Sequence, residues 1–110
     1  MTEDQKTTWD SFHDTVNMTA RELERWLGTE ESKSVGQKRG GGEATGHASG
    51  RLIVQILKAK RADLTDADYA HMRKVVGYAK RHLAQRPRGD ISESPWRYSL
   101  MNWGHDPAKS

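Results

Sequence analysis

Residues 65–86 read TDADYAHMRKVVGYAKRHLAQR, and this stretch decides the fold. Tyr69, Met72, Val76, Ala79 and Leu83 recur at steps of three, four, three and four. That spacing predicts a helix over 66–86 whose apolar stripe is either core or a dimer seam. Thr65 is placed to cap it, and Asp66 and Asp68 sit in the first turn, where the helix dipole favours anions. Pro87 stops it. A second stripe, His71, Lys74, Tyr78, Arg81 and Gln85, has the same spacing and points roughly opposite the first. Each member can donate hydrogen bonds to phosphates or base edges. Arg73 and Lys80 lie between the stripes, on a flank shared with Gly77 and Ala84, where small residues let a polyanion backbone come close. No acidic residue occurs from Tyr69 to Arg88. A merely solvated polar face accounts for the same residues, and both readings stay open.

Outward from this helix, the flanking segments also read as helical. Trp9, Phe12, His13 and Val16 share one face of a helix over 4–16. Thr19 and Glu22 form a T-x-x-E capping box, with Met18 and Leu23 at staple positions, opening a helix over 20–29 that Gly28 ends. Leu23, Trp26 and Leu27 face inward. Residues 30–46 are polar and glycine-rich, with Gly40, Gly41 and Gly42 in a row, and predict a mobile loop pinned by Val35. A helix over 47–61 carries Leu52, Ile53, Val54, Ile56 and Leu57 around much of its circumference and is expected to be central. The tail is irregular from about 88 until Ser94 and Pro95 supply an N-cap and a first helical residue. A short helix over 96–103 follows, with Trp96, Leu100 and Trp103 plugging the core and Gly104 stopping it. The expectation is an all-α single domain over 1–110. It is a small bundle of four main helices plus a short C-terminal helix, with a long Gly-rich loop between helices two and three.

Composition bounds the function. Leu, Ile, Val and Phe together number 16 of 110 residues, so the core is small and leans on four Trp, three Tyr and four Met. Absence of cysteine excludes disulfides, thiol catalysis and cysteine-based zinc sites. No run approaches the ~18 apolar residues of a membrane span, and no charged-then-apolar leader opens the chain, so a cytoplasmic protein without a membrane partner is expected. Five histidines lack the i, i+4 spacing of a helical zinc site, and His71 and His82 are eleven residues apart, too far for one metal. His105 and Asp106 read as a polar tail contact. No catalytic carboxylate pair stands out, so neither enzymatic activity, nor a metal, nor a cofactor is expected.

Charge is polarised. Residues 1–46 hold 6 Lys/Arg against 9 Asp/Glu, residues 47–88 hold 10 against 3, and residues 89–110 hold 2 against 3. The basic middle favours polyanions, nucleic acid first, unless the acidic N-terminal third covers it. The leading expectation is sequence-tolerant DNA binding by phosphate contacts, through Arg51, Lys58, Arg73, Lys74, Tyr78, Lys80, Arg81 and Gln85 on the helices over 47–61 and 66–86. Gly46, His47, Ser49 and Gly50, at the start of the first of these, are candidate phosphate contacts, although no P-loop ending is present. The turn at 62–65 loosely suggests a helix-turn-helix. Asp66 and Asp68 would repel phosphates there, so the C-terminal half of the following helix is expected to lead, with Arg73, Lys74, Lys80 and Arg81. RNA stays open, with Tyr78 as the aromatic expected to be exposed. The alternative is a protein-interaction module that binds an acidic partner or forms a helical homodimer.

Several stretches carry a family resemblance: Val16-Asn17-Met18-Thr19 with Glu22-Leu23 and Trp26-Leu27; Ser34-Val35-Gly36; Gly46-His47 with Ser49-Gly50-Arg51. To these add Asp68-Tyr69, the run from His71 to Tyr78, Arg81-His82-Leu83, and the run from Trp96 to Pro107. Together they resemble, from about Trp9 to Pro107, the bacterial and fungal family called domain of unknown function 3140. The resemblance implies no catalytic residues. Members are often labelled DNA-binding, so it implies that activity as an expectation. The glycine run at 40–42 is longer than the family pattern.

Overall fold

Helix starts in this chain are set by side chains that accept the first free backbone N–H groups. The computed structural model describes residues 2–35 and 45–109. Thr2, Thr19 and Thr65 each accept from the N–H three residues on, and Gln5, Glu22 and Asp68 return the bond. These boxes open α1 (Glu3–Thr15), α2 (Ala20–Leu27) and, further along, α5 (Asp66–Leu83). Between them stand α3 (Glu30–Ser34) and α4 (Thr45–Lys58). Ser94 caps α6 (Pro95–Asn102), with Pro95 as its first residue. The described residues form helices and no strand, as the periodicity predicts.

Two expectations are corrected. Residues 30–34 are not loop: Thr29 caps them through the Ser32 N–H, and Ser32 is buried against Asn102. One cap and two bonds between Ser32 and Asn102 order a segment that has no apolar period. Val35 is buried, as expected, whereas the glycine run at 40–42 lies outside the described residues. Nor is α4 fully enclosed. It buries Ile53, Val54 and Ile56 against α2, α5 and α6, but Leu52 is 46% exposed.

The apolar stripe of α5 packs chiefly against α1, where Tyr69 and Met72 share a core with Phe12 and Val16. It is therefore core and not a dimer seam. Val75 is buried too, outside the predicted stripe, because α4 and α6 cover additional faces of the helix. A second cluster joins Ala79 of α5 to Ile91, Trp96 and Leu100, so the C-terminal helix does plug the core.

α6 and the residues after it tie the bundle together with polar contacts. Asn102, 1% exposed, accepts from Trp26 Nε1 at 2.7 Å and from Ser32 Oγ at 2.6 Å. Its own amide donates to the Ser32 carbonyl at 3.1 Å, so one side chain joins α2, α3 and α6. Gly50 lets α4 approach: a Cβ there would lie 2.7 Å from both the Asn102 carbonyl oxygen and Leu27 Cδ2. Gly104 has φ of +81°, a conformation that favours glycine. Its carbonyl accepts from the N–H groups of Asn17 and Met18. Asn17 and Asp106 exchange two further bonds, and Asp106 takes a bidentate pair from Arg97 at 3.0 and 3.1 Å. His105 donates Nδ1–H to the Thr15 carbonyl, and Lys109 reaches Glu22 at 2.8 Å. His105 and Asp106 are thus tail contacts, as expected.

Asn102→Ala leaves the Trp26 N–H and the Ser32 hydroxyl without their acceptor in a buried site, and is expected to cost about 2–4 kcal/mol in urea unfolding. Ser32→Ala, which leaves the Trp26 bond intact, is expected to cost about 1 kcal/mol. The tail also makes stability acid-sensitive. The Lys109 ammonium, with the Thr19 N–H, lowers the Glu22 carboxyl from 4.5 to about 2. Burial works to raise Asp106, but the Arg97 guanidinium and the Ala108 N–H hold it below its ordinary value. Depressed carboxylates stabilise above their unfolded values, and that contribution is lost as pH falls through the folded ones. Thermal midpoints are therefore expected to drop between about pH 4.5 and about pH 2. Asp106→Asn is expected to be less stable at neutral pH and to show a shallower acid loss.

Candidate functional site

The face of α5 turned away from the core is basic and open. Arg73, Lys74, Lys80, Arg81 and Gln85 are all exposed. At about 100° per residue they border a track of small residues, Ala70, Gly77 and Ala84. Arg73 and Lys80 run along one edge, Lys74 and Arg81 along the other. The ion pairs among the described residues lie elsewhere: Lys6 with Asp10, Lys58 with Glu24, Arg97 with Asp106, and Lys109 with Glu22. Asp10, Glu24 and Glu22 thus engage cations of α1, of α4 and of the tail. They leave the four cations of α5 uncovered.

The other candidate residues fall apart into different places. Arg51 and Lys58 line a groove between α4 and α2, beside Glu24 and Gln55. The opposite side of α4, with Leu52 and Ile56, faces α5. Lys58 is paired with Glu24 and so does not join a shared basic face. Ser49 is buried and lies 2.9 Å from His71 Nε2, while Gly50 is buried against α2 and α6. Both serve packing and are not open to a phosphate. The His47 side chain lies outside the described residues. Gly46 remains accessible, at the rim of a cleft described below.

Tyr78 and His71 are not on an exposed stripe either. His71, Trp103, Tyr78, His82 and Trp96 form a column of near-parallel rings, with successive centroids 6.2, 4.2, 5.2 and 6.0 Å apart. Rings from α5 interleave with indoles from the C-terminal segment. Trp96 donates Nε1–H to the His82 carbonyl, and His82 donates to the Trp96 carbonyl. Burial raises the Tyr78 phenol above its ordinary value, against the Ser99 hydrogen bond, which lowers it. Burial likewise pushes the His71 imidazole down, with Ser49 opposing and Lys74 assisting. Both faces of Tyr78 are covered, which removes it as a stacking platform for a base. The column had a sequence signal: Tyr78 follows His71 by seven residues, and Trp103 follows Trp96 by seven, so each pair lies on one helical line.

Beside the column is a cleft of about 350 Å³. Tyr78 and Trp103 line it, and α5 also supplies Lys74 and Arg81. Ser99 and Asn102 come from α6, while Val35 and Gly46 close the end where α4 begins. Among the described residues, no acidic side chain lines the cleft. Val35, Ser99, Asn102 and Trp103 belong to this site without having been singled out for it in the sequence, because the end of α3 and the C-terminal helix meet beside α5 only in the folded chain. Among the described residues, no three His, Asp or Glu side chains gather as metal ligands, and no helix is long and apolar enough to cross a membrane.

No curated protein and no solved structure matches the chain. The stretches that suggested a family do find it: the family described as Protein of unknown function (DUF3140) matches residues 11–101, most of the chain, and the chain belongs to that family.

Proposed function

We propose that the chain binds DNA with little sequence preference, by laying the outer face of α5 against the phosphate backbone. One observation carries the reading: Arg73, Lys74, Lys80 and Arg81 stand exposed along both edges of a small-residue track, and no carboxylate among the described residues pairs with them. Small side chains between two rows of cations allow a sugar-phosphate chain to come close. Charge-assisted contacts of this kind give affinity and position without reading bases. The capping acids Asp66 and Asp68 sit at the far N-terminal end of the helix, so the contact centres on residues 73–85. Arg51, Lys58 and Tyr78 have no part in it. In this reading the protein acts by binding alone, needs no cofactor, and works in the cytoplasm on the nucleoid.

Titration of a random-sequence duplex at several salt concentrations tests it. Four phosphate contacts give a log–log slope of about −3 to −4. Changing Lys74, Lys80 and Arg81 together to Ala is expected to bring the slope near −1, at roughly one counterion per remaining contact. Because all three side chains are exposed, the variant is expected to keep the helical circular dichroism of the parent. Unchanged duplex affinity of this variant at low salt defeats the proposal. Absence of any duplex binding at low salt redirects the same face to an acidic protein partner.

A further inference from the structure

The cleft between α5, α6 and the start of α4 supports a function separate from the duplex reading. We propose that it is a binding site for a small phosphate monoester, such as a sugar phosphate. Lys74 and Arg81 flank Tyr78 at spacings of four and three residues, so both cations rise from the α5 side of the cleft, one turn to either side of the ring. Neither has a carboxylate partner among the described residues. Two cations suit a dianion, and the Arg guanidinium can grip two of its oxygens while the Lys ammonium meets the third as a point charge. The Ser99 hydroxyl adds a neutral polar group from α6, and Gly46 lines the same end. The volume of about 350 Å³ fits a small metabolite.

The walls also constrain what carries the phosphate. Trp103 and Tyr78 stack on each other at 4.2 Å and on His71 and His82 beyond, so the cleft meets ring edges and not ring faces. A flat base has no free face to stack on there. Val35 and the ring edges fit a compact, weakly polar carrier of sugar size. Ring edges carry partial positive charge, which also favours an anion.

Amide and indole NMR shifts of the full-length protein, read during titration with inorganic phosphate, ribose 5-phosphate and ribose, test the site. Both phosphates are expected to move the Trp103 indole and the Ser99 and Gly46 amides, with ribose silent. Lys74→Ala or Arg81→Ala is expected to weaken ribose 5-phosphate by roughly tenfold or more. Ser99→Leu fills the cleft but keeps both cations, and is expected to abolish the shifts while leaving duplex binding in place. Arg73→Ala with Lys80→Ala is expected to keep the shifts while weakening duplex binding and bringing its salt slope to about −2, which separates failure of this site from failure of the duplex reading. The proposal is overturned if neither phosphate moves those signals at millimolar concentration, or if ribose alone moves them equally. It is also overturned if the shifts are as large at Arg73 and Lys80, which would mean diffuse counterion binding.

Discussion

The amide of Asn102 is the contact on which the arrangement of this bundle depends. It is sealed from water, and it accepts from α2 and α3 while donating back to α3. A buried amide is tolerated only when its hydrogen bonds are made, so α2, α3 and α6 can meet in few other ways. The backbone of the same residue is where α4 comes closest, at Gly50. With 16 Leu, Ile, Val and Phe residues in the chain, apolar burial has less capacity to select one arrangement, and directional polar contacts take a larger share. The tail continues the pattern: Asp106, His105 and Lys109 each bond back to the junction of α1 and α2 or to the helices beside it.

Placement of α6 then decides what α5 shows to solvent. Trp103 slots between His71 and Tyr78 and Trp96 stacks on His82, converting one side of α5 from surface to interior. What stays outside is the arc from Lys80 and Arg73 round to Lys74 and Gln85. Asp10, Glu24 and Glu22 of α1 and α2 are held by partners on other surfaces, Lys6, Lys58 and Lys109. The basic segment of the sequence is therefore divided: its α5 half faces water with no carboxylate partner among the described residues, while its α4 half is turned toward α2 and includes a paired lysine. The cleft follows from the same packing, since the rings that cover Tyr78 also leave their edges beside Lys74 and Arg81.

Helix positions were legible because their signals act within one or two turns. Thr19 with Glu22, Thr65 with the acids behind it, and Ser94 with Pro95 each satisfy N–H groups a few residues away, and no other part of the chain is needed to read them. The stripe from Tyr69 to Leu83 likewise follows from helical geometry, as does the inward face of Trp96, Leu100 and Trp103. The short helix at Glu30–Ser34 escaped the same reading because its order rests on a bond between Ser32 and a residue 70 positions later.

Sequence by itself determined that the chain is helical, where five of its helices lie, that its middle is basic, and to which family it belongs. Tertiary structure alone decided which polar residues are surface. His71, Ser49 and Tyr78 carry the same hydrogen-bonding groups whether exposed or enclosed, and only the neighbours that other helices deliver determine which they are. Periodicity reports that two residues share a face of one helix, but it carries no term for what covers that face. The uncovered cations of α5 and the cleft beside them are products of that covering.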